Sequence, residues 1–185
     1  MNRSASVRID GVLAEEEREA ASQRMTSFGA HLSFSRAHAA ARRTYGFLSL
    51  ADGADLTALA QALGNAQLHE PPLAIVEIVP DHPRRLPALT HALGGPGCPA
   101  GIVDARTTAN SLVLEVDANK TPLSLVLDIV DCELETAPGR RIIPLIPFTG
   151  EMLAALARDL INDPALDASR LIETYTEPLL QIRSS

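Results

Sequence analysis

Apolar residues in this chain come in short runs separated by polar punctuation, and two periods alternate along it. "LAIVEIV" at 73 to 79 is apolar at every position but Glu77, as a strand buried on both faces requires. "RIIPLI" at 141 to 146 reads as another strand, with Pro144 favouring an edge or a bulge because it has no N–H to give a ladder. "SLVLEVD" at 111 to 117 alternates like a half-buried strand. "DLTALAQAL" at 55 to 63 changes period: Leu56, Leu59 and Leu63 fall on one helical face behind Asp55 as N-cap. "TPLSLVLDIVDCEL" at 121 to 134 opens with Thr121 as N-cap and Pro122 at the first helical position, which predicts a helix despite its β-branched residues.

These elements recur. Residues 51 to 80 align without a gap on 118 to 147, an offset of 67 that sets Leu56 on Leu123, Pro71 on Pro138, Ile75 on Ile142 and Pro80 on Pro147. Carried backwards with small gaps, it pairs a helix over 14 to 27 with one near 84 to 93. It also sets "HLSFSR" on "GIVDAR" and "TYGFLSL" on "SLVLEVD". Each unit then reads strand, helix, strand, strand, helix, strand. The expected fold is α+β: tandem ferredoxin-like (βαββαβ) units with antiparallel sheets, over 1 to 72 and 73 to 147. Each half can cover the open sheet face of the other. In this alignment 73 to 80 both closes the first unit and opens the second. A C-terminal extension, 148 to 185, adds two helices broken at Asp163-Pro164. Its stripe of Leu153, Leu156, Ala157 and Leu160 must be buried on the sheets or on a partner subunit, a homodimer in the second case.

Composition narrows the function classes. The chain has 185 residues, 46% hydrophobic and 21% charged, with a net charge of −7, which suits a folded globular protein. Its basic residues are scattered and only 3% of residues are aromatic, so neither a phosphate-backbone footprint nor a base-stacking platform exists and nucleic acid is excluded as a partner. No run of apolar residues is long enough to span a bilayer, and the N-terminus has no signal-peptide core. Cys98 and Cys132 make no disulfide framework, so the expectation is a cytoplasmic protein with no membrane partner. Lys120 is the single lysine beside fifteen arginines, a bias without functional content.

Few residues suggest chemistry. His69, His82, His91 and Cys98 are ligand types for zinc, but their spacings fit no finger or catalytic motif, and no metal is expected. "GGPGCPAG" at 94 to 101 is glycine-rich without the Lys-Ser/Thr ending of a P-loop; it reads as a helix C-cap and turn, with Gly94 or Gly95 supplying positive φ. Glu115 and Asp117 share a strand face, and Asp128 and Asp131 neighbour each other on a helix; solvated faces are the expectation for all four. No nucleophile elbow, zincin or dinucleotide fingerprint occurs, so no catalytic residue and no cofactor is assigned. The corner "VPDHPRRLPAL" at 79 to 89 stands out, because a cation-poor chain sets two arginines at a strand-to-helix junction.

Residues 74 to 117, "AIVEIVPDHPRRLPALTHALGGPGCPAGIVDARTTANSLVLEVD", resemble an ACT domain. That family has a strand running into Asp-x-Pro-Gly, an apolar helix, a glycine-containing turn and two further strands. Asp81, Pro83, Leu86, Leu89 and Leu93 fit this pattern. Arg84 replaces its glycine, and Pro87 requires the helix to start at or after Arg84. The resemblance implies a regulatory module binding an amino acid or related carboxylate at the corner, against the second strand or a neighbouring domain. The implied ligand-binding residues are Asp81, His82, Arg84, Arg85, Leu86 and Gly101. Helix-start N–H groups favour an anion, and a guanidinium can hold a carboxylate through two hydrogen bonds. Asp81 either takes an α-amino group or caps the helix. Two other readings stand beside this one: an enzyme using a cavity between the units with His82, Cys98 or paired carboxylates, and an assembly protein acting through its C-terminal helices.

Overall fold

The computed structural model describes residues 3–34, 39–134 and 140–145. The two helices expected after 148 lie outside these residues. The chain divides into two compact units, Met1–Leu73 and Ala74–Ser185. Among the described residues no helix is long and apolar enough to cross a membrane.

The first unit runs β1 (Arg3–Asp10), α1 (Glu15–Ser27), β2 (Ala30–Phe34), β3 (Arg43–Leu50), α2 (Leu56–Ala62) and β4 (Gln67–His69). Its antiparallel sheet has the order β2-β3-β1-β4, with Val7 opposite Gly46 on one side and Leu68 on the other. Glu15, Glu16 and Glu17 fill the first turn of α1, where the helix dipole favours negative charge, and the Glu17 carboxylate accepts from the Ala14 N–H at 2.7 Å. Gly29 (φ 68°) and Gly64 (φ 72°) take the left-handed position just beyond α1 and α2. Asp55 caps α2 as expected, accepting from the Thr57 N–H at 2.9 Å. Ala5, Val7, Leu32 and Leu48 of the sheet close on Met25 of α1 and on Leu59 and Leu63 at α2.

The second unit repeats the order: β5 (Ala74–Pro80), a 3₁₀ turn at Pro83–Arg85, α3 (Leu86–Gly94), β6 (Ile102–Thr107), β7 (Leu112–Val116), α4 (Leu123–Leu134) and β8 (Arg140–Pro144). Its antiparallel sheet has the order β6-β7-β5-β8. Leu86, Leu89 and Leu93 of α3 and Leu123, Val126 and Val130 of α4 pack on Val76, Ile78, Leu112 and Leu114. Pro87 sits in the first turn of α3, where a missing N–H leaves no bond unmade. Pro144 ends the edge strand β8, consistent with its lost donor. Mixed helices and antiparallel sheets of this order are a ferredoxin-like α+β arrangement.

Four sequence expectations need correction. The gapless repeat holds for the helices, since α2 starts at Leu56 and α4 at Leu123, but fails beyond them. Among the described residues β5 pairs with β7 and β8 alone, and Ile78 stands opposite Ile142, so the two segments aligned as equivalents are neighbours in one sheet. The first unit is closed instead by β4, three residues with one partner strand and too short to leave an apolar run. Secondly, β7 is not half-buried: every residue of it is buried, Glu115 included, and Asp117 just beyond it is 6% exposed. Thirdly, α4 starts at Leu123, so Pro122 precedes the helix and is not its first residue. The first turn is accepted by the Pro122 carbonyl, and the Thr121 hydroxyl accepts the Gly101 N–H at 2.9 Å. Fourthly, Gly97 (φ 96°), not Gly94 or Gly95, takes the positive φ; Gly95 is needed because a Cβ there would stand 2.6 Å from the His91 carbonyl oxygen.

Candidate functional site

The strand-to-helix corner of the second unit is built from both sides. β5 holds its last residue, Pro80, against Arg140 of β8, and the buried leucines of α3 pin the helix to the sheet. Between them Asp81, His82, Pro83, Arg84 and Arg85 are all exposed, while Leu86 beneath them is 3% exposed and belongs to the core. Leu86 thus serves as the floor of the corner.

Asp81 does not cap the helix. The residue before the 3₁₀ turn is His82, and the one before α3 is Arg85, and neither position has a side-chain cap. With the turn starting at Pro83, Asp81 lies one residue outside the cap position, which His82 occupies. The two arginines separate by role. The Arg85 Nη1 donates to the Glu133 carbonyl at 3.4 Å, near the C-terminal end of α4, where the helix dipole favours a cation. The guanidinium of Arg84, with the backbone N–H groups of His82 and Arg84, has no partner among the described residues. An exposed carboxylate and an uncommitted guanidinium within four residues can hold an ammonium and a carboxylate.

Gly101 is not part of this corner. Ala74 and Ile102 both flank Val116 at one end of the sheet, and Ile78 and Thr107 both flank Leu112 at the other, beyond which Asp81 follows. Gly101 therefore lies at the opposite end. A Cβ on it would stand 2.6 Å from the Thr121 side chain and 2.8 Å from the Asp117 carbonyl oxygen, and its own carbonyl accepts the Asp117 N–H at 2.7 Å. Its role is close packing. Cys98 is at that same far end, so His82 and Cys98 do not converge.

The other candidates are dispersed. The His69 Nδ1 lies 2.8 Å from the Pro71 carbonyl oxygen, and His91 is exposed on α3. Among the described residues no three His, Cys, Asp or Glu side chains cluster as a metal site would need. Asp117 is buried for a local reason: it accepts the Asn119 N–H at 3.1 Å and stands 3.4 Å from Lys120 Nζ, tying the turn into α4. The "DANKT" pattern at 117 to 121 carries that turn signal. A groove of about 380 Å³ lies in the first unit beside Arg18, Ser22 and Phe34.

Sequence reading missed one strong pair. The Arg3 guanidinium grips the Glu70 carboxylate through two bonds of 2.8 and 2.7 Å and gives a third to the Ala54 carbonyl at 3.2 Å. Hydrogen bonding to Arg3 holds the Glu70 carboxyl below the usual carboxylate range, and the same bond raises Arg3. A sequence separation of 67 hides this pair from any local pattern.

No family model matches the chain, and no curated protein matches it. Among solved structures, an unknown protein from Galdieria sulphuraria is similar at 18% identity and a TM-score of 0.35, over 78% of this chain and 98% of that one. A candidate glycine cleavage system transcriptional repressor is similar at 12% identity and a TM-score of 0.32, over 78% and 99%. A protein from Bacteroides thetaiotaomicron has 9% identity and a TM-score of 0.26, over 77% and 91%. Likenesses at these scores carry no functional weight, and the fold rests on the strand order of the chain itself.

Proposed function

We propose that this chain is a regulatory protein, built from two ACT-like ferredoxin units, that senses a small carboxylate such as an amino acid at the β5–α3 corner. One observation supports this reading above the others: Asp81 and Arg84 are both exposed at the corner, and the Arg84 guanidinium has no partner among the described residues. Arg85 orders the corner through Glu133, and Leu86 anchors it to the core. The ligand's carboxylate is held by Arg84 and the adjacent N–H groups, and its amino group by Asp81.

Calorimetry of the full chain against the L-amino acids and their 2-oxo acids tests the reading. At least one member should give a saturable heat, and Arg84→Ala should weaken its binding by about one to two decades, the value of a charge-assisted pair. No heat from any member at millimolar concentration would sink the proposal.

A further inference from the structure

Both units have a strand-to-helix corner with an acid at the same place. Counting from the strand starts, Arg3 and Ala74, Asp10 and Asp81 are equivalent. The two corners nevertheless differ in how their backbone is satisfied.

In the first unit the chain closes the corner on itself. The Gly11 N–H donates to the Arg42 carbonyl at 2.7 Å. The hydroxyl of Thr44, a fully buried residue, donates to the Gly11 carbonyl at 2.9 Å and accepts the Leu13 N–H at 3.0 Å. The Ala14 N–H goes to the Glu17 carboxylate. The N–H groups of Gly11, Leu13 and Ala14, which could otherwise meet an incoming anion, are thereby occupied. In the second unit the connection between β6 and β7 uses its polar groups internally: the Thr108 N–H donates to the Ser111 carbonyl at 2.8 Å, the Ser111 N–H to the Thr108 hydroxyl at 3.0 Å, and the two hydroxyls lie 2.8 Å apart. Thr44 stands opposite Ile9 on β1. Extending the β5–β7 register by two residues places Asn110 opposite Pro80, the equivalent of Ile9. Asn110 is exposed and its N–H turns back to Thr108. Nothing among the described residues there bridges to the corner as Thr44 does.

We infer that Thr44 is an internal occupant of the β1–α1 corner, so that the chain takes one carboxylate equivalent, at the β5–α3 corner, and not two. This rests on the function proposed above and adds which of two equivalent corners is closed, and by which side chain.

The test monitors backbone amide chemical shifts of the full chain during titration with sodium acetate and, separately, with each L-amino acid of the calorimetric panel. Saturating shifts are expected at His82 and Arg84, with Gly11, Leu13 and Ala14 unmoved, and a calorimetric stoichiometry of one. In Thr44→Val the bridge is lost and the Gly11 and Leu13 amides should begin to respond to acetate. Shifts at Gly11, Leu13 or Ala14 in the parent chain, or a stoichiometry of two, overturn the inference while leaving carboxylate binding intact. No heat and no shift at either corner overturns the proposed function and the inference with it. Should Thr44→Val not fold, the parent titration decides alone.

Discussion

Arg84 and Arg85 are adjacent in sequence and differ in what holds them. Arg85→Ala removes a donor to the end of α4 and should lower stability by about 0.3 to 1 kcal/mol, whereas Arg84→Ala should leave the melting temperature unchanged and reduce only binding. Asp81→Ala should behave like Arg84→Ala, because Asp81 caps nothing; a drop in melting temperature for either would show that the corner is structural. Thermal denaturation beside calorimetry separates these outcomes. Glu70 carries a pH dependence whose sign is set by its lowered carboxyl. A carboxylate with a depressed folded pKa stabilises above its unfolded value, about 4.3, and that stability is lost as pH falls through the folded pKa. Glu70→Gln should therefore destabilise at neutral pH, and its difference from the parent should vanish in acid. Urea denaturation at both conditions checks this, and a difference unchanged by acid would mean that Glu70 acts through packing instead of charge.

At the scale of elements, α2 is legible in the sequence because its cap and its apolar stripe agree. Asp55 accepts from Thr57, and Leu59 is 2% exposed. Leu59→Asp should unfold the first unit, since it buries an unpaired charge and loses a side chain whose burial is worth roughly 1.5 to 3 kcal/mol; unchanged melting would place this face in solvent. The turn into α4 is not legible because its hydrogen bonds reach across the fold: Thr121 meets Gly101, 20 residues away. Gly101→Ala should push a methyl group into Thr121 and the Asp117 carbonyl, costing about 1 to 3 kcal/mol. A matching loss for Thr121→Ala, with no further loss in the double variant, would show that the two residues act as one contact.

Over the whole molecule, each unit has its own apolar core drawn from its own sheet and helices. Leu89→Asp should accordingly strip amide protection from β5, β7 and β8, and hydrogen exchange would map the loss; protection retained across those strands would mean that Leu89 is not the centre of that core. Sequence alone determined the alternation of apolar runs and helical stripes, and with it the α+β class, because periods of 2 and 3.6 are local properties of the backbone. Tertiary structure decided which strand closes each unit. β4 and β5 compete for that place in the sequence, and only pairing, Val7 with Leu68 and Ile78 with Ile142, separates them. It decided the burial of Glu115 as well, because a residue's burial depends on what packs against both faces of its sheet. It also removed Gly101 from the corner: neighbours in a functional motif are set by strand direction, and a parallel β5 and β6 put the start of one strand and the end of the other a sheet's length apart.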